Sequence, residues 1–286
     1  MILAAPMPAR SSPTAPNRMS GPYGPDASTR RRLERELRTA AAAGAFLLHY
    51  QPRLSLATGT VEANEALIRW PDRKRGLVPP NTFIPIAEQS DLINTIGAWV
   101  LLEACREAAG WDGYRVSVNV SARQLQSGVL PVQLAMALEQ SGLPPDQLEL
   151  ELTESMLVDG STDTLLALSA IRDLGVGLAL DDFGTGFASL SMLKRLPLTA
   201  MKLDRSLVRE LPSNREDAAI VRAVIGTGHA MRLTVVAEGI ETEAQRAFLS
   251  GIGCDEGQGY LFSHPLPAAQ LRTKLGIRPA GPPTVP

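Results

Sequence analysis

The 286-residue chain carries 28 Lys and Arg against 30 Asp and Glu, and 44% of it is apolar. That length suits one large domain plus tails, since a single α/β barrel fills about 250 residues. The near-balanced charge argues against nucleic-acid duplexes and anionic membranes as partners, and no apolar run reaches the roughly 20 residues that span a bilayer.

Residues 1–27 hold six prolines among Ser, Gly and Asn and are expected to form a disordered tail. Met1-Ile2-Leu3-Ala4-Ala5 lacks a basic stretch and meets Pro6 at once; no secretory signal is expected, and the expected location is the cytoplasm. A domain is expected over 28–277, opening with a helix over 28–43 that Ser28 can cap and that buries Leu33, Leu37, Ala40 and Ala41. Its Arg30-Arg31-Arg32 run reads as a solvated face. The spacing then predicts strand Phe46–Leu56, a turn at Thr58-Gly59-Thr60 and strand Val61–Trp70, together a hairpin. Helices at Phe83–Gln89 and Leu92–Ala109 precede strand Arg115–Val120. Helix Val132–Ser141 leads to strand Leu148–Leu152, and helix Asp163–Leu174 to strand Val176–Leu180. A short helix, Ser189–Lys194, precedes strand Ala200–Leu203. Helix Arg215–Met231 precedes strand Thr234–Ala237, helix Glu241–Ser250 follows, and a last strand is expected near Gly259–Phe262. Residues 278–286 are again expected as a tail. Strands alternating with helices imply a parallel sheet, and about eight strands favour a closed barrel.

The acids stand at strand ends. Glu65 lies near the end of the second strand, Asn119 closes the third, and Glu151 and Asp181-Asp182 close the next two. Lys202 interrupts an apolar strand, Glu238 closes Val235-Val236-Ala237, and Gln258 precedes Gly259-Tyr260. In a parallel barrel these ends converge on one mouth. Carboxylates gathered there repel one another unless cations intervene, and a ligand set without His or Cys suits Mg²⁺ or Mn²⁺ rather than zinc. Two adjacent aspartates invite two-ion hydrolysis. Gly184-Thr185-Gly186 suits a tight loop. Cys105 and Cys254 form no zinc spacing and are expected to be reduced thiols; His49, His229 and His264 are scattered and receive no catalytic role.

Glu65-Ala66-Leu67-Ile68-Arg69-Trp70 resembles the signature of the EAL-domain cyclic-di-GMP phosphodiesterases. The likeness extends through Tyr50-Gln51-Pro52, Asn119-Val120-Ser121, Glu151-Leu152-Thr153-Glu154, Asp181-Asp182-Phe183-Gly184-Thr185-Gly186, Lys202-Leu203-Asp204, Glu238-Gly239-Ile240-Glu241 and Gln258-Gly259-Tyr260. It implies an α/β fold, a modified (β/α)8 TIM barrel with its first strand antiparallel, and hydrolysis of cyclic di-GMP to linear pGpG with two Mg²⁺ or Mn²⁺ ions. By the same resemblance Glu65, Asn119, Glu151 and Asp181 ligate the first ion, and Asp181 with Asp182 serves the second. Glu238 is a further metal-shell acid and candidate general base, and Lys202 orients the nucleophilic water. Gln51, Arg69 and Gln258 contact substrate. Glu154 pins the Gly184–Gly186 loop, and Asp204 and Glu241 support the ligands. A homodimer and a regulatory protein partner are also implied. The chain departs from the family at Pro71-Asp72-Arg73 and Phe187-Ala188, neither of which touches a ligand position. The rival readings are a catalytically silent module that binds cyclic di-GMP or a partner, and an enolase-like barrel, against which the Asp181-Asp182 pair counts.

Overall fold

The computed structural model describes residues 27–111, 113–157, 161–184 and 190–277. The expected tails therefore lie outside the described residues, apart from Ala27. Helix α1 (Ala27–Ala42) starts one residue before the expected position and buries Leu33 and Leu37. A hairpin follows, β1 (Leu47–Ser55) and β2 (Val61–Asp72), its turn closed by Ser55 N–H donating to Thr60 O at 2.8 Å and by Gly59 at φ +76°. β2 runs on into a short antiparallel partner, β3 (Gly76–Val78).

From there helices and parallel strands alternate: α2 (Pro80–Ala87), α3 (Leu92–Ala108), β4 (Arg115–Val120), α4 (Ala122–Gln126), α5 (Leu130–Ser141), β5 (Leu148–Thr153), α6 (Thr162–Asp173) and β6 (Gly177–Phe183). The second half holds α7 (Leu190–Leu193), β7 (Ala200–Leu203), α8 (Arg205–Val208), α9 (Arg215–Ala230), β8 (Thr234–Ala237), α10 (Glu243–Gly251), β9 (Glu256–Gly257), β10 (Leu266–Pro267) and α11 (Ala268–Leu275). β2 and β4 to β9 form a continuous parallel run, and β1 pairs antiparallel with both β2 and β9, closing eight strands into a barrel. The antiparallel first strand follows from the five-residue connection 56–60, which reverses the chain without a crossover. Among the described residues no helix is long and apolar enough to cross a membrane.

The helix expected at Phe83–Gln89 starts earlier, at Pro80, where Pro79 and Pro80 open it. The strand expected at Val176–Leu180 runs on through both aspartates to Phe183. Two further corrections fall near the C-terminal end. The last barrel strand is Glu256–Gly257, and residues 259–262 form a turn instead. Ile240 accounts for this: its N–H donates to Gln258 O, and its carbonyl accepts from Leu261 N–H. A Cβ on Gly259 would lie 2.0 Å from Ile240 O, so the two backbones are in direct contact there. The helix expected from Glu241 starts at Glu243, because Thr242 and Gln245 form a reciprocal cap that sets its first turn.

Outward-facing strand residues such as Leu148, Leu150, Leu178 and Leu180 are fully buried under helices, as in a barrel covered on its outside. The interior is polar. Glu149 and Glu151 lie two residues apart on β5 and share its inner face. At the lower level Arg53 Nη1 is 2.7 Å from Glu149 Oε1 and Arg53 Nε is 2.6 Å from Glu256 Oε2, while Arg115 Nη2 reaches Glu256 Oε1 at 2.7 Å. β1 and β5 are not neighbours in the sheet, so the Arg53–Glu149 pair crosses the barrel. Burial would raise the Glu149 carboxyl, but the Arg53 charge and hydrogen bond outweigh it and hold Glu149 below the usual range.

Removing the cation would strand two buried carboxylates. Arg53→Met is expected to lower stability by about 3–5 kcal/mol, read by urea denaturation; a change under about 1 kcal/mol would contradict this account of the barrel floor. The depressed Glu149 contributes stability above the unfolded carboxyl pKa, lost as pH falls through its folded value. The wild-type midpoint should therefore drop in acid.

Candidate active site

At the upper level, where the parallel strands end, the interior side chains change from paired to crowded. Lys202 enters from β7 and is 1% exposed. Its Nζ lies 2.7 Å from Glu151 Oε2 on β5, 3.1 Å from Asp181 Oδ1 on β6 and 2.6 Å from Glu238 Oε1 just beyond β8. Register delivers these groups: Thr153 of β5 pairs with Asp181, Lys202 pairs with Val236, and Glu238 N–H donates to Leu203 O. Glu65 lies on the other side of the mouth. Its Oε1 accepts from Asn119 Nδ2 at 2.7 Å and its Oε2 from Gln258 Nε2 at 2.6 Å. Gln258 also donates to Gln51 Oε1 at 3.1 Å, and Gln51 donates to Ser263 O. These amides hold Glu65 in one orientation.

One ammonium among this many carboxylates cannot satisfy them all. Burial alone would lower Lys202, but Glu151, Glu238, Glu65 and Asp181 hold it well above the usual lysine value. Burial, with Asp181 and Glu65 adding to it against Lys202, pushes Glu238 up to about 7. Burial raises Glu151 well above the carboxylate range; Lys202 opposes this, while Glu65, Asp181 and Glu238 reinforce it. Asp182 is raised by burial and then by Asp181. Glu65 differs: burial is outweighed by Lys202, Gln258 and Asn119, which hold it low.

The donor set fits a divalent cation. Ligand oxygens of Asp181, Asp182 and Glu238 lie within 4.8 Å of one another. Glu151 Oε1 is buried without a hydrogen-bond partner among the described residues, an acceptor a hard ion would satisfy. All these donors are oxygens, as Mg²⁺ and Mn²⁺ prefer. Asp182 sits at φ +56°, a conformation that costs a non-glycine residue energy and turns the chain directly after Asp181.

The expected supporting residues are placed unevenly. Glu154 is buried just past the end of β5, beside the end of β6 that carries Asp181 and Asp182. Gly184, at φ +105°, leaves no room for a Cβ, which would meet Leu207 Cδ1 at 2.6 Å. Thr185 and Gly186 lie outside the described residues. Asp204 caps α8, accepting from Ser206 N–H at 2.9 Å. Glu241 lines the mouth, whereas Arg69, half-buried on the Glu65 side of β2, donates to Ile68 O at 2.9 Å and does not line it.

Two cavities open on this centre. One of about 220 Å³ lies over Glu65, Asp181, Glu238 and Gln258, with Arg205 and Tyr260 on its wall. The other, about 440 Å³, shares Glu65 and Asn119 but runs between α2 and α3, walled by Ile84, Pro85, Ile93 and Val100, with Asn81, Glu88, Ser121, Gln124 and Thr153 as further polar groups. Neither Arg205 nor this apolar chamber is expected from the sequence. The Asp204-Arg205-Ser206 cap was the available signal for Arg205. The chamber comes from two helices packing side by side, which no local motif announces.

The family model described as EAL domain matches residues 34–265. Over 244 residues the chain is 42% identical to the bifunctional diguanylate cyclase/cyclic di-GMP phosphodiesterase MucR of Pseudomonas aeruginosa, covering 84% of this chain and 36% of that protein. It is 44% identical over 248 residues to the cyclic di-GMP phosphodiesterase NbdA of the same organism, covering 85% and 32%. The chain thus spans about a third of the length of these relatives. Among solved structures, the PaMucR phosphodiesterase in complex with c-di-GMP superimposes with a TM-score of 0.80 at 42% identity, over 84% of this chain and 99% of that one. The c-di-GMP-bound EAL domain of FimX from Pseudomonas aeruginosa gives 0.76 at 25%, over 82% and 96%.

Protons and ions compete for the same oxygens. Below pH about 7 Glu238 is protonated in the ion-free protein, so Mn²⁺ affinity should rise as pH passes from 6 to 8. Calorimetric titration at the two pH values checks this, and an affinity unchanged between them would contradict it.

Proposed function

The chain belongs to the EAL-domain family, and from that premise we propose that it is a metal-dependent phosphodiesterase hydrolysing cyclic di-GMP to linear pGpG. The observation that carries the reading is the intact set of mouth oxygens around a single buried ammonium. Glu65, Asn119, Glu151 and Asp181 would hold one Mg²⁺ or Mn²⁺ ion, and Asp181, Asp182 and Glu238 a second. Bound ions would supply Lewis acidity that makes water a nucleophile and offsets charge building on the phosphoryl oxygens.

The chain's own groups do the positioning. Lys202, held charged by three carboxylates that take up its three donors, would turn one of them to the attacking water once bound ions engage those oxygens. Glu238, at the mouth beside Lys202, would accept the water's proton as the new P–O bond forms and the bridging ester oxygen departs with a proton. Gln258 and Asn119 orient Glu65 through both of its oxygens, the kind of support on which ligand geometry depends. Gln51 and Gln258 would meet the substrate at the mouth, and Arg69, outside that wall, would reach it from the Glu65 side only by leaving the Ile68 carbonyl. Support for a purine-bearing substrate comes from the apolar chamber next to the cage, whose volume and mix of apolar walls and polar groups suit a nucleobase. Glu154, buried beside β6, pins the loop after the Asp pair.

The test is to incubate the purified chain with cyclic di-GMP and Mn²⁺ or Mg²⁺ and follow the linear dinucleotide by chromatography. Wild type should produce pGpG, and Glu65→Ala should lose about 100-fold or more in turnover. Binding without any pGpG would establish the silent module instead, and turnover surviving Glu65→Ala would remove Glu65 from the metal set.

A further inference from the structure

A cyclic dinucleotide carries two phosphodiesters, and the cage accounts for one. Among the described side chains lining the mouth cavity, Arg205 is the sole cation. It is exposed there and makes no ion pair among the described residues, although Glu238 and Glu241 line the same cavity. A second phosphate over this mouth would otherwise find no cation among the described residues of its wall, since Arg69 stands outside it, four residues past Glu65 on β2.

The fold fixes where Arg205 sits. It opens α8, three residues after Lys202, and the Asp204 cap sets the start of that turn. Gly239 follows Glu238 at φ +67°, and a Cβ there would lie 2.5 Å from Arg205 Cβ. On the other flank Gly184, two residues after Asp182, packs against Leu207 of the same turn. α8 is thus wedged between the chain just past Asp182 on β6 and the chain just past Glu238. Its first side chain is set relative to the cage by backbone packing, not by an ion pair of its own. A guanidinium left uncommitted in this way presents a planar fork of donors matched to two phosphate oxygens.

We infer that Arg205 binds the phosphodiester that is not attacked, and so holds the cyclic dinucleotide across the mouth. This rests on the proposed function and concerns substrate affinity, so it is tested by binding as well as by turnover. Arg205→Gln and Arg205→Lys are compared with wild type for KM, kcat and the Kd of cyclic di-GMP by equilibrium dialysis, with the melting temperature confirming the fold. Loss of a charge-assisted contact predicts a rise of about 10-fold in both KM and Kd for Arg205→Gln. The loss should fall mainly on KM rather than kcat, and Arg205→Lys should recover part of it. A KM and Kd within twofold of wild type in folded Arg205→Gln would overturn the inference, as would a loss confined to kcat. If wild type bound the dinucleotide without hydrolysing it, the catalytic reading would fail while the Kd comparison still judged Arg205.

Discussion

The Nζ of Lys202, surrounded by Glu151, Asp181 and Glu238 at 2.6–3.1 Å, is the contact on which the upper half of the barrel depends. Three carboxylates at such distances in a buried site repel strongly, and a single ammonium offsets only part of that repulsion. The excess shows in the raised Glu151 and Glu238, which hold on to protons in place of the missing positive charge. A group poised near neutrality and a set of underused oxygens are two consequences of one imbalance. A divalent cation removes both, which is why charge balance leads to chemistry here and not only to stability.

The same barrel solves the problem differently one layer below. Arg53 and Arg115 match Glu149 and Glu256 closely, and Glu149 is held below its usual range rather than above it. Glu149 and Glu151 are two residues apart on one strand, yet their environments differ in sign. A neutralised floor with a carboxylate-rich mouth concentrates the unsatisfied negative charge at one end of the molecule. The backbone supports that asymmetry: Asp182 in a left-handed conformation and glycines at 184 and 239 turn the chain sharply where the acids are presented.

Much of this was legible in the residues. Apolar runs ending in Glu, Asn, Asp or Lys gave β4, β5, β7 and β8 almost to the residue, because a strand buried on its outer face leaves only its end for polarity. The antiparallel first strand followed from Thr58-Gly59-Thr60, which is too short for a crossover. The last strand was misplaced because Gly259-Tyr260-Leu261 has a strand-like pattern, while a long-range contact with the Ile240 backbone bends it into a turn. β3 and α8 escaped notice for a related reason: three or four residues carry too little period to be read. The apolar chamber between α2 and α3 and the exposed Arg205 depend on residues brought together from distant parts of the chain, as does the Lys202 cluster. Only the last left a trace in the sequence, since its members each break an apolar strand end.

The central claim is that the Lys202 cage is an ion site, and counting ions tests it most directly. Electron paramagnetic resonance of the protein titrated with Mn²⁺ should report two tightly held ions per chain, with fewer in Glu151→Gln and Asp181→Asn. A wild-type chain that holds no Mn²⁺ at millimolar concentration, or that holds it equally well in both variants, would contradict the account.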